Sequence, residues 1–198
     1  MSRYGRRLLA AAVGALVVAV PLLYAAHRQA HLRNFRVVED GVLYRSGQLS
    51  PQGLDRVMDE YRIKTVITLR TVRDPSKPYP DEWEKTACEA RGLRHVRIIP
   101  RVWGADEATG EIPAEESVQA FLREMDDPAH YPVLVHCFAG IHRTGTMCAI
   151  FRMDYHKWSA DRAIAETEVY GFDPADMHEH IEGYLRNYRP RAKAAAAP

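Results

Sequence analysis

The sequence predicts an α/β fold, a central mostly parallel sheet flanked by helices, preceded by one N-terminal transmembrane helix. Three observations carry that expectation. Short apolar or β-branched runs alternate with helix-length amphipathic segments from residue 50 onward, which is the pattern of βα units. Two of those runs, 63–69 and 132–136, are rich enough in Val, Ile and Leu to be strands covered on both faces. Residues 8–26 carry no charge, and at about 1.5 Å of rise per residue they can cross a bilayer core as a helix.

Taken in order, Arg3, Arg6 and Arg7 precede the uncharged stretch, and Pro21 is its only breaker. A cleaved signal needs small residues just before the cut; ending at Ala26 would put bulky Tyr24 at −3, so an uncleaved single-pass anchor is expected over residues 1–30. Basic residues also follow the stretch (Arg28, Arg33, Arg36), so the positive-inside rule favours an exported catalytic domain only by a small margin. Segments 35–38 and 42–45 read as short strands turned at Glu39-Asp40-Gly41. Ser50 suits an N-cap and Pro51 the first helical position, with Leu54, Val57, Met58 and Tyr61 on one face. After strand 63–69 comes a Pro-rich loop, then a helix from Asp81 to near Gly92, a strand over 93–99 and a polar loop over 101–112.

Pro113 opens a helix bearing Val118, Phe121, Leu122 and Met125, and strand 132–136 follows. The next helix, 144–155, is apolar on several faces and should lie at the centre of the domain. Ser159 and Pro174 mark two closing helices, with Ile164, Val169, Ile181, Tyr184 and Leu185 expected to pack inward. The catalytic domain is expected over 31–190 and a frayed tail over 191–198.

With 198 residues, 46% of them hydrophobic, the chain can bury one substantial core. The 27 basic and 26 acidic residues nearly cancel, leaving no global field for nucleic acid, so none is expected as a partner. Cys88, Cys137 and Cys148 are too few and too irregularly spaced for a disulfide framework or a zinc site. One reactive thiol, with no metal or cofactor, is the expectation.

The chemistry concentrates in residues 136–145, His-Cys-Phe-Ala-Gly-Ile-His-Arg-Thr-Gly. A loop between a strand end and a helix N-terminus offers unpaired N–H groups to a phosphate dianion, and Gly140 permits its tight turn. The same donors stabilise a thiolate, which makes Cys137 a nucleophile at neutral pH. The loop to grip the phosphate is Phe138, Ala139, Gly140, Ile141, His142 and Arg143, where the planar Arg143 fork can hold two oxygens and offset transition-state charge. Thr144 can donate a hydroxyl hydrogen bond to the sulfur and ease its departure when water attacks a phosphocysteine. His136 is expected to orient the loop rather than to move protons.

This segment resembles the Cys-x5-Arg protein tyrosine and dual-specificity phosphatases at every fixed position of their motif. A looser likeness spans 38–188: Leu43-Tyr44-Arg45-Ser46-Gly47-Gln48, His142-Arg143-Thr144-Gly145, and Trp158 followed by an acidic and aromatic helix look like the atypical dual-specificity phosphatases related to inositol-pyrophosphate phosphatases. The resemblance implies a phosphomonoester hydrolase working through a phosphocysteine, on a phosphoprotein or a small phosphate ester. It also implies a leaving-group acid on a mobile loop roughly thirty residues before the cysteine, where Asp106 stands, with Glu107 its nearest substitute and Asp74 and Asp81 weaker candidates.

Arg45, Arg70 and Arg73 are candidates for the pocket mouth or ordinary surface charges, and Cys88 or Cys148 for a resolving thiol or core packing. Relatives acting on highly phosphorylated inositols or their lipids tend to carry lysines in the loop, where this chain has Phe138 and Ile141. That favours a singly phosphorylated substrate such as phosphotyrosine, with inositol polyphosphates, pyrophosphates or phosphoinositides as the alternative. A rhodanese-like sulfurtransferase and a non-catalytic phosphate-binding module are the readings from other classes.

Overall fold

The computed structural model describes residues 3–72, 74, 76–173 and 179–192. Helix α1 (Arg3–His31) contains Pro21 within it. Its Arg3–Ala26 portion is long and apolar enough to cross a membrane, and the large side chains described along it, Leu16, Val20 and Leu23 among them, are exposed. The domain then runs β1 (Arg36–Glu39), β2 (Leu43–Ser46), α2 (Pro51–Glu60), β3 (Thr65–Thr68), α3 (Glu82–Ala90), β4 (Arg94–Arg97), α4 (Ala114–Met125), β5 (Val133–His136), α5 (His142–His156), α6 (Ala160–Val169) and α7 (Glu179–Asn187).

The sheet order is β1-β2-β5-β3-β4. β2, β5, β3 and β4 run parallel, and β1 joins β2 antiparallel as an edge hairpin, so the sheet is mixed. Strand β5 lies between β2 and β3. Successive side chains of a strand point to opposite faces, and the two cores divide accordingly. Leu43, Ile67, Val133 and Val135 face the side packed by α4, α5, α6 and α7, whereas Tyr44, Val66 and Leu134 face α2 and α3. Burial of ten residues of α5, from Thr144 to Asp154, explains why that helix reads as apolar on every face: the sheet, α4 and α6 surround it.

Local chemistry sets the element ends. Ser50 Oγ accepts from the Gly53 amide at 3.1 Å and Pro51 occupies the first turn of α2, and Ser159 caps α6 in the same way. Helix α5 begins two residues earlier than the periodicity suggests, at His142, because the loop itself turns into it. Val169 is a correction: it is 80% exposed, since five residues past Ile164 on a 3.6-residue turn it has rotated away from the core, and buried Thr167 takes the inward place. The expected helix start at Pro174, Arg73 and the tail from 193 onward lie outside the described residues.

Candidate active site

The sequence between the end of β5 and the start of α5 forms a tight loop whose carbonyls are held from outside. Gln48 N donates to Phe138 O at 2.9 Å, Asn34 Nδ2 to Ala139 O at 2.9 Å and Arg45 Nη2 to Gly140 O at 2.8 Å. With three successive carbonyls committed outward, the loop amides are left for the concave side, where an anion can sit. Gly140 has φ +76°, and a Cβ there would stand 2.4 Å from Gly47 N and 2.6 Å from Ser46 O. Only glycine fits against the β2 end.

Cys137 lies at the floor, 5% exposed, and the Gly140 amide donates to its sulfur at 3.2 Å. Burial opposes the thiolate, but the Thr144 hydroxyl and amide, the Gly140 amide and the His136 charge outweigh it and hold the thiol below its ordinary value. The Thr144 hydroxyl is buried and has no well-aligned hydrogen-bond partner among the described residues; it acts on the thiol by lying near the sulfur, free to turn its proton toward it. Arg143 lines the same cavity with Cys137, Phe138, Ala139 and His142, and its Nη1 donates to Leu69 O at 3.2 Å, which fixes the guanidinium at the C-terminal end of β3. The ring of His142 packs edge-on to Phe172 at 5.6 Å, while Ile141 is half-buried against the core. The structure therefore brings together the six loop positions, Cys137 and Thr144, with His136 directly beneath.

The cavity, about 750 Å³, extends beyond the phosphate cradle to Val102, Trp103 and Arg101, room enough for an organic group behind the phosphate. Phe138 stands at its rim, 58% exposed, with the Arg33 and Arg70 guanidiniums 4.7 and 5.3 Å from its ring centre. Of the three arginines singled out in sequence, Arg70 is thus at the rim. Arg45 is not: it is 1% exposed, lies under the loop over the Tyr170 ring at 4.6 Å, and its Nε and Nη1 have no partner among the described residues.

Asp106 is not brought to Cys137. It lies in a surface turn, accepting from the Ala108 and Thr109 amides at 2.9 Å each and from the Thr109 hydroxyl. The Thr109 and Ala108 amides hold its carboxyl below the usual range, so it is ionised at neutral pH. Glu107 is exposed, Asp74 accepts from Ser76 in its own turn, and Asp81 is buried against Arg97 at 3.0 Å. Among the described residues, no carboxyl group lines the Cys137 cavity.

Cys88 and Cys148 are fully buried, and burial pushes their thiols up to about 12 and about 11; both are packing residues in their protonated form. Asp81, Glu84 and His95 place one potential metal ligand each within 4.8 Å of one another, but Asp81 is paired with Arg97 and Glu84 with two histidines. Sequence reading missed Arg33, Asn34, Gln48 and Glu84, because each reaches the loop from a distant part of the chain. The run Ser46-Gly47-Gln48, close behind β2, was the one available signal.

Comparison with known proteins points the same way. A family model described as a dual-specificity-type (DSP-PTPase) phosphatase fused to NAD+ kinase matches residues 22–182. The inositol diphosphatase DSP1 of Oryza sativa is 34% identical over 119 residues, 60% of this chain and 49% of that protein, so the chain spans about half of its length. The dual specificity protein phosphatase TpbA of Pseudomonas aeruginosa is 25% identical over 194 residues, 91% of this chain and 79% of that one. The core catalytic domain of the PP-IP phosphatase SIW14 from S. cerevisiae superposes with a TM-score of 0.60 at 23% identity, covering 80% of this chain and 87% of its own.

Proposed function

The chain belongs to the DSP-PTPase phosphatase family, and from that premise we propose that it hydrolyses phosphate monoesters through a phosphocysteine on Cys137. The observation that carries the reading is the Gly140 amide 3.2 Å from a buried sulfur at the mouth of α5, in a loop whose carbonyls at Phe138, Ala139 and Gly140 are tied back. The thiolate attacks phosphorus in line as the P–O bond to the leaving group breaks, and that oxygen takes a proton. Water then attacks phosphorus, the P–S bond breaks, and orthophosphate leaves as the thiolate returns, stabilised by Thr144 and the Gly140 amide. Arg143, held at Leu69 O, is the group to grip two phosphoryl oxygens through both steps.

The leaving-group proton divides two substrate readings. For phosphotyrosyl or alkyl esters the acid is Asp106, which must first exchange the bonds of its own turn for the substrate. A phosphoanhydride releases a phosphate that departs without such help. The absence of a carboxyl group among the described residues lining the cavity favours that second reading, and a relative is named as an inositol diphosphatase. Phe138 and Ile141, in place of loop cations, favour the first, though Arg33, Arg70 and Arg101 stand around the mouth. The apolar length of α1 supports a single-pass anchor, and the basic residues Arg3, Arg6 and Arg7 before it are the one signal for a catalytic domain on the exported side.

The deciding experiment gives the full chain, in detergent and chelator, phosphotyrosyl peptides, phosphoinositides and inositol pyrophosphates. Turnover of an aryl phosphate lost in Cys137→Ser supports the mechanism; chelator-sensitive activity, or activity retained in that variant, refutes it.

A further inference from the structure

Beneath the loop lies a carboxylate that the chemistry above does not use. Glu84, in the first turn of α3, is 1% exposed. Its Oε1 lies 2.7 Å from His136 Nε2 and 3.3 Å from His95 Nε2, and its Oε2 accepts from Gln48 Nε2 at 3.1 Å. Buried carboxylates persist only when such partners replace water. The partners here lead to the catalytic loop by two routes. His136 Nδ1 faces Cys137 O at 3.3 Å, so the ring spans from Glu84 to the nucleophile's own carbonyl. Gln48 Oε1 accepts from Arg70 Nη1 at 3.1 Å, and Arg70 lies over the Phe138 ring.

We propose that Glu84 is the positioning residue of the phosphate loop: it holds the His136 ring under Cys137, and through Gln48 and Arg70 it braces Phe138 at the rim. Cys137 O can only accept, and Glu84 Oε1 accepts as long as it is a carboxylate; with Glu84 ionised, both ring nitrogens of His136 donate and the ring is an imidazolium. A cation is thereby fixed one residue from the sulfur. The other groups around Glu84 do not replace this arrangement. Asp81 is an anion already paired with Arg97, Cys88 is a buried thiol, and His95 is a second donor to the same oxygen. The proposal rests on the Cys137 reading of the loop but not on turnover.

Its test begins with the full chain in detergent micelles, labelled with 15N-histidine. At pH 7 to 8 both His136 nitrogens should be protonated; a neutral His136 at pH 7 overturns the proposal. In Glu84→Gln, the pH midpoint for iodoacetate alkylation of Cys137 should rise and kcat/KM for an aryl phosphate should fall about tenfold or more. A folded Glu84→Gln with lower thermal stability but an unmoved alkylation midpoint reduces Glu84 to a packing residue and refutes it. Gln48→Leu cuts the rim route and takes one donor from Glu84 Oε2 while leaving the His136 contact in place: KM should rise several-fold with a smaller move of the alkylation midpoint than in Glu84→Gln, and an unchanged KM refutes that route. If Glu84→Gln does not fold, the wild-type spectrum and Gln48→Leu decide. Loop positioning as described with no phosphatase turnover would leave this inference standing and remove the catalytic one.

Discussion

Replacing Gly140 by alanine separates two effects that the structure allows to be weighed. The added methyl would stand 2.4 Å from Gly47 N, 2.5 Å from Ser46 C and 2.6 Å from Ser46 O, all backbone atoms at the end of β2 that have no rotamer to yield. At φ +76°, alanine also carries a left-handed strain of roughly 1–2 kcal/mol. Several tenths of an ångström of loop movement must relieve the collision, and the Gly140 amide moves with it, away from the sulfur it now meets at 3.2 Å. Loss of one hydrogen bond to a charged group is worth roughly 1.5–3 kcal/mol, which corresponds to a rise in the thiol pKa of about 1–2 units. Gly41→Ala is the matched control, for it has φ +73° but nothing within 4 Å of its Cβ. Alkylation of Cys137 by iodoacetate across pH 4–9, read beside thermal unfolding, measures both effects. Gly140→Ala should raise the alkylation midpoint and lower kcat/KM on the order of ten- to a hundredfold, while Gly41→Ala should lose about 1 kcal/mol of stability with the midpoint unchanged. An unmoved midpoint and activity within twofold in Gly140→Ala would refute the claim that this amide stabilises the thiolate.

Further outcomes follow from the same geometry. Arg143→Lys keeps the charge but loses the fork, so kcat/KM should fall on the order of a hundredfold in steady-state assays; a loss under threefold would contradict bidentate gripping. Asp106→Asn should slow alkyl phosphates more than aryl phosphates and leave phosphoanhydrides unaffected, and an equal loss on all three would remove Asp106 as the acid. Burial works against the Glu84 carboxylate, yet His136 and His95 pull it from 4.5 to about 2. Its stabilisation is therefore complete above pH 4.5 and lost as pH falls toward 2, roughly 3 kcal/mol in all. Urea unfolding across that window should be steep for the natural chain and flatter for Glu84→Gln. The His136 contribution has the opposite sign: its pKa is raised despite burial, because Glu84 faces it, so that share is present below pH 6.5 and lost as pH climbs through the raised value. Vesicle flotation should retain the full chain and release residues 30–198; flotation of both would refute the anchor.

What could be read in advance was what depends on neighbours in sequence. Alternation and capping located β3, β5, α2 and α6, since Ser50, Ser159 and the Val-rich runs act within a few residues. The loop was legible because Cys137, Gly140, Arg143 and Thr144 must lie on one turn to do their chemistry. In sequence Arg45 is open between the pocket mouth and the surface, and it is at neither because β2 is buried on both faces, a fact that only its place between β1 and β5 decides. Glu84 was invisible for the same reason: its partners His136, His95 and Gln48 come from three other segments, and on α3 alone it looks like an ordinary first-turn acid. Asp106 was placed by its distance from the cysteine, which does not reveal the turn that its own carboxylate closes.

The central claim is that Cys137 carries the phosphoryl group, and rapid acid quench with a 32P-labelled aryl phosphate tests it most directly. The account predicts acid-trapped label on a single peptide containing Cys137, absent in Cys137→Ser and chased to orthophosphate by water in the natural chain. Hydrolysis at full rate with no label on that peptide, or label that survives in Cys137→Ser, would contradict it.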